Sequence, residues 1–119
     1  MKVGDFASCT RAFSRDDAEA YQALGGAPAR GLTPEPMIGA LFSRLLGVDL
    51  PGPGANYLKQ DLTFHAQAPL GTPLTARVTV VRLRPEKHLV DLETVCMAAD
   101  GALIASGRAL IYAADVGRS

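Results

Sequence analysis

Two polar side chains on one apolar helical segment are the residues of this sequence best placed to do chemistry. Glu35 stands where the segment begins and Ser43 interrupts it. A partly buried carboxylate at a helix start can attack a carbonyl or activate water, and a hydroxyl within the helix can bond a ligand. Both residues also have structural interpretations. The helix dipole favours Glu35 in the first turn, and a helix serine can bond the carbonyl one turn back.

The two histidines and two cysteines are isolated from one another along the chain. His65 alternates with Leu62 and Phe64, so we expect it to face solvent or a subunit interface, and we expect His88 to lie in a surface turn. No group of residues has metal-ligand spacing, and we predict neither a metal nor a cofactor.

Cys9 and Cys96 form no CxxC pattern, and the N-terminus has no apolar run. The pattern predicts reduced thiols in a cytoplasmic protein.

Composition limits the function classes that remain. The chain has 119 residues, so we expect one domain over residues 1–119. Twelve basic and twelve acidic residues cancel, and no basic run occurs, which argues against nucleic acid or an anionic membrane as a partner. No apolar run approaches the ~18 residues of a membrane span.

Two helices are predicted in the first half of the chain. Ser14 is a good N-cap with Asp17 three residues later, and Gly25 and Gly26 end the helix that follows. Residues 25–33 are rich in Gly, Ala and Pro and predict a loop. An apolar helix then runs from Pro34 or Pro36 to Leu46 with Gly47 as its C′ residue, and its spacing predicts burial on most sides.

Five strands are predicted around these helices. Their segments are residues 6–13, 57–66, 73–83, 88–98 and 102–113. Alternation places Leu58, Leu62 and Phe64 on one face of the second strand. Asp100-Gly101 is a strong hairpin signal, and short connections make successive strands antiparallel. Periodicity alone therefore predicts an α+β protein with an antiparallel sheet on one apolar helix.

Several segments together resemble the MaoC-like dehydratases, and among them the (R)-specific enoyl-CoA hydratases. They are GALFSRLLG (39–47), LPGPGANYLKQDLTF (50–64), APLGTPLTARVTVVRLRPEK (68–87) and ASGRALIY (105–112), which extend over most of the chain. The resemblance implies a single hotdog domain, an antiparallel β-sheet wrapped around one central helix. It also implies a homodimer joined along the strand from Tyr57 to Ala66, with CoA in the dimer groove.

The family's activity implies the roles of particular residues. Its members add water stereospecifically to a trans-2-enoyl thioester, using an Asp and a His in a D-x-N-P-x-H motif after the first helix and backbone N–H groups at the start of the central helix. Ser43 matches the serine that lines the family's catalytic pocket. The resemblance places the substrate-binding residues on the same helix, namely Met37, Ile38, Gly39, Phe42 and Ser43.

The sequence departs from this family pattern just before the central helix. No Asp, Asn or His occurs from Gly25 to Glu35, and the interval from Phe13 to Ser43 is several helical turns shorter than in the family. Pro34 and Pro36 have no N–H to offer a thioester oxygen. We therefore expect a protein that keeps an acyl-thioester-binding scaffold for acyl-CoA or an acyl-carrier thioester and lacks hydratase activity.

Alternative interpretations remain open. The protein could be a thioesterase using Glu35, or a hydratase whose acid and base come from a hotdog partner chain. Arg82, Arg84 and Lys87 could contact CoA phosphates, or they could form an ordinary solvated hairpin end.

Overall fold

Five strands and two helices make up the computed structural model, which describes residues 1–28 and 30–114. In chain order the elements are β1 Phe6–Arg11, α1 Arg15–Ala23, α2 Glu35–Arg44, a π-helical turn Leu45–Asp49, β2 Asn56–Phe64, β3 Leu74–Arg84, a 3₁₀ turn Pro85–Lys87, β4 Leu89–Ala98 and β5 Leu103–Tyr112. The five strands form one sheet in the order β1-β3-β4-β5-β2, and each neighbouring pair is antiparallel. This is the predicted hotdog architecture.

The core lies between α2 and one face of the sheet. Alternate residues of β3 and β4 are buried, as expected for strands with one covered face. Phe42 and Leu45 have no exposed surface and belong to the same cluster as Val78, Val80 and Leu92. The prediction that the apolar helix is buried against the sheet is confirmed.

The start of α1 follows the predicted capping chemistry. Ser14 Oγ accepts from the Asp17 backbone N–H at 3.1 Å, and the Asp17 carboxylate accepts from the Ser14 N–H at 2.8 Å. These reciprocal bonds form a capping box. The bonds from Ser14, with a smaller effect of Arg11, lower the pKa of Asp17.

The end of the central helix differs from the prediction. Gly47 is not a C′ residue, because the helix continues through it as a π-helical turn. The Leu50 N–H bonds the Leu45 carbonyl at 2.8 Å, five residues back. This wider turn keeps both Leu45 and Leu46 in the core, and Pro51, which has no N–H, follows directly.

The predicted alternation of β2 is wrong at Leu58. A register shift between Tyr57 and Lys59 marks a β-bulge there, and Leu58 is 55% exposed while Leu62 and Phe64 pack on the core. A bulge adds one residue to a strand and so breaks the period of two. β2 lies at the sheet edge, and it ends at Phe64 instead of Ala66.

Candidate functional site

A cleft of about 240 Å³ opens at the N-terminus of α2. Its walls come from Tyr21 of α1, residues 27–28 and 32–36 before and within the first turn of α2, Ile38, Phe64 at the end of β2, and residues 66–68 after it. The short, Pro-rich segment before α2 therefore forms one wall. None of the described residues lining this cleft is an Asp or a His.

The N-terminus of α2 offers few backbone N–H groups that could donate to a ligand. Pro34 is the N-cap, with no side-chain capping bond, and Pro36 occupies the first turn. The N–H of Glu35, the first helical residue, has no acceptor within the helix. Glu35 lines the cleft and is exposed.

Thr33 is a residue of the cleft that the sequence interpretation missed. It is only 6% exposed, and its N–H bonds the Ala68 carbonyl at 2.7 Å. Its Oγ1 is buried and has no hydrogen-bond partner within the described structure. The sequence did contain a signal for Thr33, because it directly precedes the proline that caps the apolar helix. The surrounding Gly- and Pro-rich residues led to the whole segment being interpreted as a loop.

The five substrate-binding residues predicted from the resemblance occupy different environments. Ile38 lines the cleft, whereas Phe42 is wholly in the core. Met37 packs partly against the core, and a Cβ at Gly39 would stand 4.0 Å from Leu62 Cδ1. Ser43 is exposed. Of these five residues, only Ile38 lies in the cleft wall.

Ser43 instead lies near a group of polar side chains on β2 and β4. The pKa of Tyr57 is raised by burial and lowered to a smaller extent by Ser43. The Tyr57 hydroxyl lies 2.7 Å from Gln60 Oε1, and Gln60 Nε2 donates to Thr94 Oγ1 at 3.3 Å and to the Arg108 carbonyl at 3.2 Å. We call Ser43, Tyr57, Gln60 and Thr94 the polar relay.

The relay has a defined direction. A backbone carbonyl can only accept, so Gln60 Nε2 must face Arg108, and Gln60 Oε1 must accept from the Tyr57 hydroxyl.

The cleft and the relay are separate along α2. Glu35 and Ser43 are eight residues apart, which corresponds to about 12 Å along the helix axis. One reacting atom cannot bond both side chains of the same chain, so within one chain they would contact different parts of an extended ligand.

The histidines and the arginine cluster lie away from the cleft. His65 Nε2 is 2.7 Å from Ser106 Oγ on the exposed side of the sheet, in agreement with its predicted orientation. His88 is half-buried, contrary to expectation, because its ring meets the Tyr112 ring edge-on and its Nδ1 lies 3.1 Å from the Ala114 carbonyl. Arg84 pairs with Asp91 at 2.8 Å.

Cys96 is unsuited to nucleophilic chemistry, and the two cysteines are too far apart for a disulfide. Both thiols are free. Ala76 of β3 pairs with Cys9 on one side and Cys96 on the other, so two strand spacings, roughly 9.6 Å, separate them. A disulfide needs about 4.4–6.8 Å between Cα atoms. Burial, with a smaller effect of Cys9, raises the pKa of Cys96 to about 11.

Residues 1–28 and 30–114 contain no group of three or more His, Cys, Asp or Glu side chains that could hold a metal ion. No helix in this part of the chain is long and apolar enough to cross a membrane.

Comparison with known proteins connects this architecture to one enzyme family. No family model matches the chain. An (R)-specific enoyl-CoA hydratase from Rhodospirillum rubrum is 45% identical over 76 residues, 63% of this chain and 52% of that protein. The chain spans about half the length of the curated relatives it matches. The solved structure of an (R)-hydratase from Aeromonas caviae matches with a TM-score of 0.88 at 30% identity, covering 95% of this chain and 97% of that one.

The chain belongs to the MaoC-like (R)-specific enoyl-CoA hydratase family. R-hydratase PhaJ1 from Pseudomonas aeruginosa also matches, with a TM-score of 0.87 at 27% identity, over 95% of this chain and 82% of that one. Family membership confirms the resemblance and explains the hotdog sheet around α2. No Asp or His occurs between Gly25 and Glu35, in the segment that contributes residues to the cleft wall.

Proposed function

We propose that this hydratase-family protein binds an acyl thioester in the cleft at the start of α2 without hydrating it. The cleft carries the proposal. It lies at the N-terminus of the central helix, next to the hydrophobic core, and apolar side chains such as Ile38 and Phe64 share its walls with a few polar groups. Concave, largely apolar sites with a few polar groups are the usual form of small-molecule sites.

The lack of hydration follows from the residues around that cleft. Hydration of an enoyl thioester needs a base for water and an acid for the α-carbon. Glu35 is the one carboxylate among the described residues of the cleft, and none of them is an imidazole. Pro34 and Pro36 also remove two backbone donors that would stabilise an oxyanion.

The carrier on the thioester is CoA or an acyl-carrier protein. Both present the acyl group on the same phosphopantetheine arm, so the cleft by itself does not distinguish them. The open edge strand β2 supports the proposed homodimer, in which Ser43 would border the groove between subunits. Two free thiols fit a reducing compartment such as the cytoplasm.

Calorimetric titration tests the binding proposal. Butyryl-pantetheine contains the part common to CoA and carrier-protein thioesters, and butyryl-CoA adds the nucleotide. We expect saturable binding of both, and tighter binding of butyryl-CoA if the natural carrier is CoA. Free pantetheine is the control and should bind more weakly. Absence of acyl-dependent binding at millimolar ligand would contradict the proposal.

A thioesterase activity is the second candidate, because Glu35 lines the cleft. A carboxylate there could activate water against the thioester carbonyl. Release of CoA from butyryl-CoA, followed with a thiol reagent, would reveal it. Hydrolysis that disappears in Glu35→Gln and persists in Glu19→Gln would establish this alternative. A hydratase completed by a hotdog partner chain would instead show turnover only after the partner is added.

A further inference from the structure

Thr33 is the feature of the cleft that the family pattern does not explain. The residue is 6% exposed, yet it lines the cleft. Its Oγ1 is buried without any hydrogen-bond partner in the described part of the chain. Buried polar atoms without a partner are uncommon in native proteins, and each calls for a water, an ion, a ligand or a functional reason.

The backbone of Thr33 is held on both sides. Its N–H bonds the Ala68 carbonyl at 2.7 Å, and the following Pro34 restricts Thr33 to extended conformations. The side chain retains its staggered rotamers. A step of roughly 120° in χ1 moves Oγ1 to another staggered position without a change in the backbone, at a residue that lines the cleft.

Few other groups at the helix mouth can donate to a ligand oxygen. Pro34 and Pro36 have no N–H, and the Thr33 N–H is already bonded. An ionised Glu35 carboxylate accepts only. The Thr33 hydroxyl, just before the helix, and the Glu35 N–H, in its first turn, are thus the donors that remain at the start of α2.

We propose that the Thr33 hydroxyl donates a hydrogen bond to the carbonyl oxygen of the bound thioester, in place of the helix-mouth donors that the two prolines remove. This inference rests on the proposed function. It also limits the ligand class. The cleft is about 240 Å³, below the ~300–1,000 Å³ of typical drug-sized sites, so a short acyl chain such as butyryl fits best.

A pair of ligands isolates the carbonyl contact. Butyryl-CoA contains the carbonyl oxygen, whereas S-butyl-CoA, a thioether with CH₂ in its place, does not. Thr33→Val removes the hydroxyl at nearly constant shape, and Thr33→Ser retains it. We expect Thr33→Val to weaken butyryl-CoA binding roughly 5- to 10-fold, as for one neutral hydrogen bond, and to leave S-butyl-CoA binding unchanged. Thr33→Ser should bind both ligands like the wild type.

The outcomes separate this inference from the proposed function. If the wild type binds butyryl-CoA and Thr33→Val binds it equally well, the Thr33 contact is refuted and the binding function stands. If the wild type binds neither ligand, both are refuted. Equal weakening of both ligands in Thr33→Val would indicate a structural role and would also refute the contact.

Stability and spectroscopy keep the test decisive. Thr33→Val should unfold at the wild-type temperature or higher, because it removes an unpaired buried hydroxyl. If that variant fails to fold, the wild type can still refute the contact. The carbonyl stretch of [1-¹³C]butyryl-CoA should shift to lower frequency on binding, and an unshifted band would refute the hydrogen bond.

Discussion

Gln60 on the edge strand β2 hydrogen-bonds Thr94 on the central strand β4, with 3.3 Å between Nε2 and Oγ1. The bond spans the intervening strand β5, where Gly107 lies opposite Thr94. A Cβ on Gly107 would stand 1.7 Å from the Asp61 carbonyl oxygen, so only glycine allows this close approach of β5 to β2. The polar relay therefore connects the edge of the sheet to its centre.

Loss of the Gln60 side chain should destabilise the protein. Gln60→Leu leaves the fully buried Thr94 hydroxyl without its donor, and we expect a loss of about 1–3 kcal/mol in the free energy of unfolding. Adding Thr94→Val should recover part of the loss, because replacing both partners by apolar groups can be nearly neutral. Urea denaturation measures both. Lys59→Ala, at an exposed neighbouring position, is the control, and no recovery in the double variant would contradict the pairing.

Leu45 tests the burial of the central helix. It has no exposed surface, so Leu45→Ala should lower the free energy of unfolding by ~2–5 kcal/mol. Val48 lies in the same π-helical turn and is 57% exposed. Val48→Ala is therefore the matched control, with an expected change within about 0.5 kcal/mol. A loss below about 1 kcal/mol for Leu45→Ala would be inconsistent with the buried helix.

The capping box makes part of the stability depend on pH. The pKa of Asp17 is lower in the folded chain than its ordinary value of 3.8. Its contribution is thus fully present above pH ~4 and is lost as the pH falls through the folded value. Asp17→Asn should reduce the drop in melting temperature between pH 6 and pH 2.5. Asp16→Asn, in the same first turn, should leave the drop as in the wild type.

The homodimer can be tested at the edge strand. Leu58 is 55% exposed on β2, whose outer edge has no neighbouring strand in the described structure. We expect light scattering at micromolar concentration to give twice the monomer mass. Leu58→Asp should shift the protein towards monomer, because it places a charge at the joining edge. Val3→Asp, at an apolar position that is 59% exposed elsewhere, should remain dimeric. A monomeric wild type would exclude the dimer.

Strong local chemistry made most of the fold predictable. Ser14 and Asp17 gave the start of α1, the apolar spacing around Phe42 gave the buried helix, and alternation gave β3 and β4. The predictions for the end of the central helix and for the start of β2 were wrong, because a backbone irregularity changed the residue period of each element. The π-helical turn carried the helix through Gly47, and the bulge at Leu58 exposed a residue expected to be buried.

The candidate site was less predictable because it depends on long-range packing. Glu35 and Ser43 were identified from their positions on the helix. The position of Thr33, with its unpartnered hydroxyl, depends on the hydrogen bond to Ala68, which is 35 residues away in the chain. The role of Gln60 depends on Thr94, which alternation alone would assign to an ordinary core position.

Hydration of crotonyl-CoA tests the central claim most directly. The purified protein alone should be compared with the Aeromonas caviae hydratase, with absorbance of the enoyl thioester as the signal. One positioned acid or base contributes ~10²–10⁴ in rate and one oxyanion donor roughly 10²–10³, and such losses need not add. We expect turnover at least roughly 10³-fold below that of the reference enzyme while butyryl-CoA still binds. Turnover comparable to the reference enzyme would contradict the account.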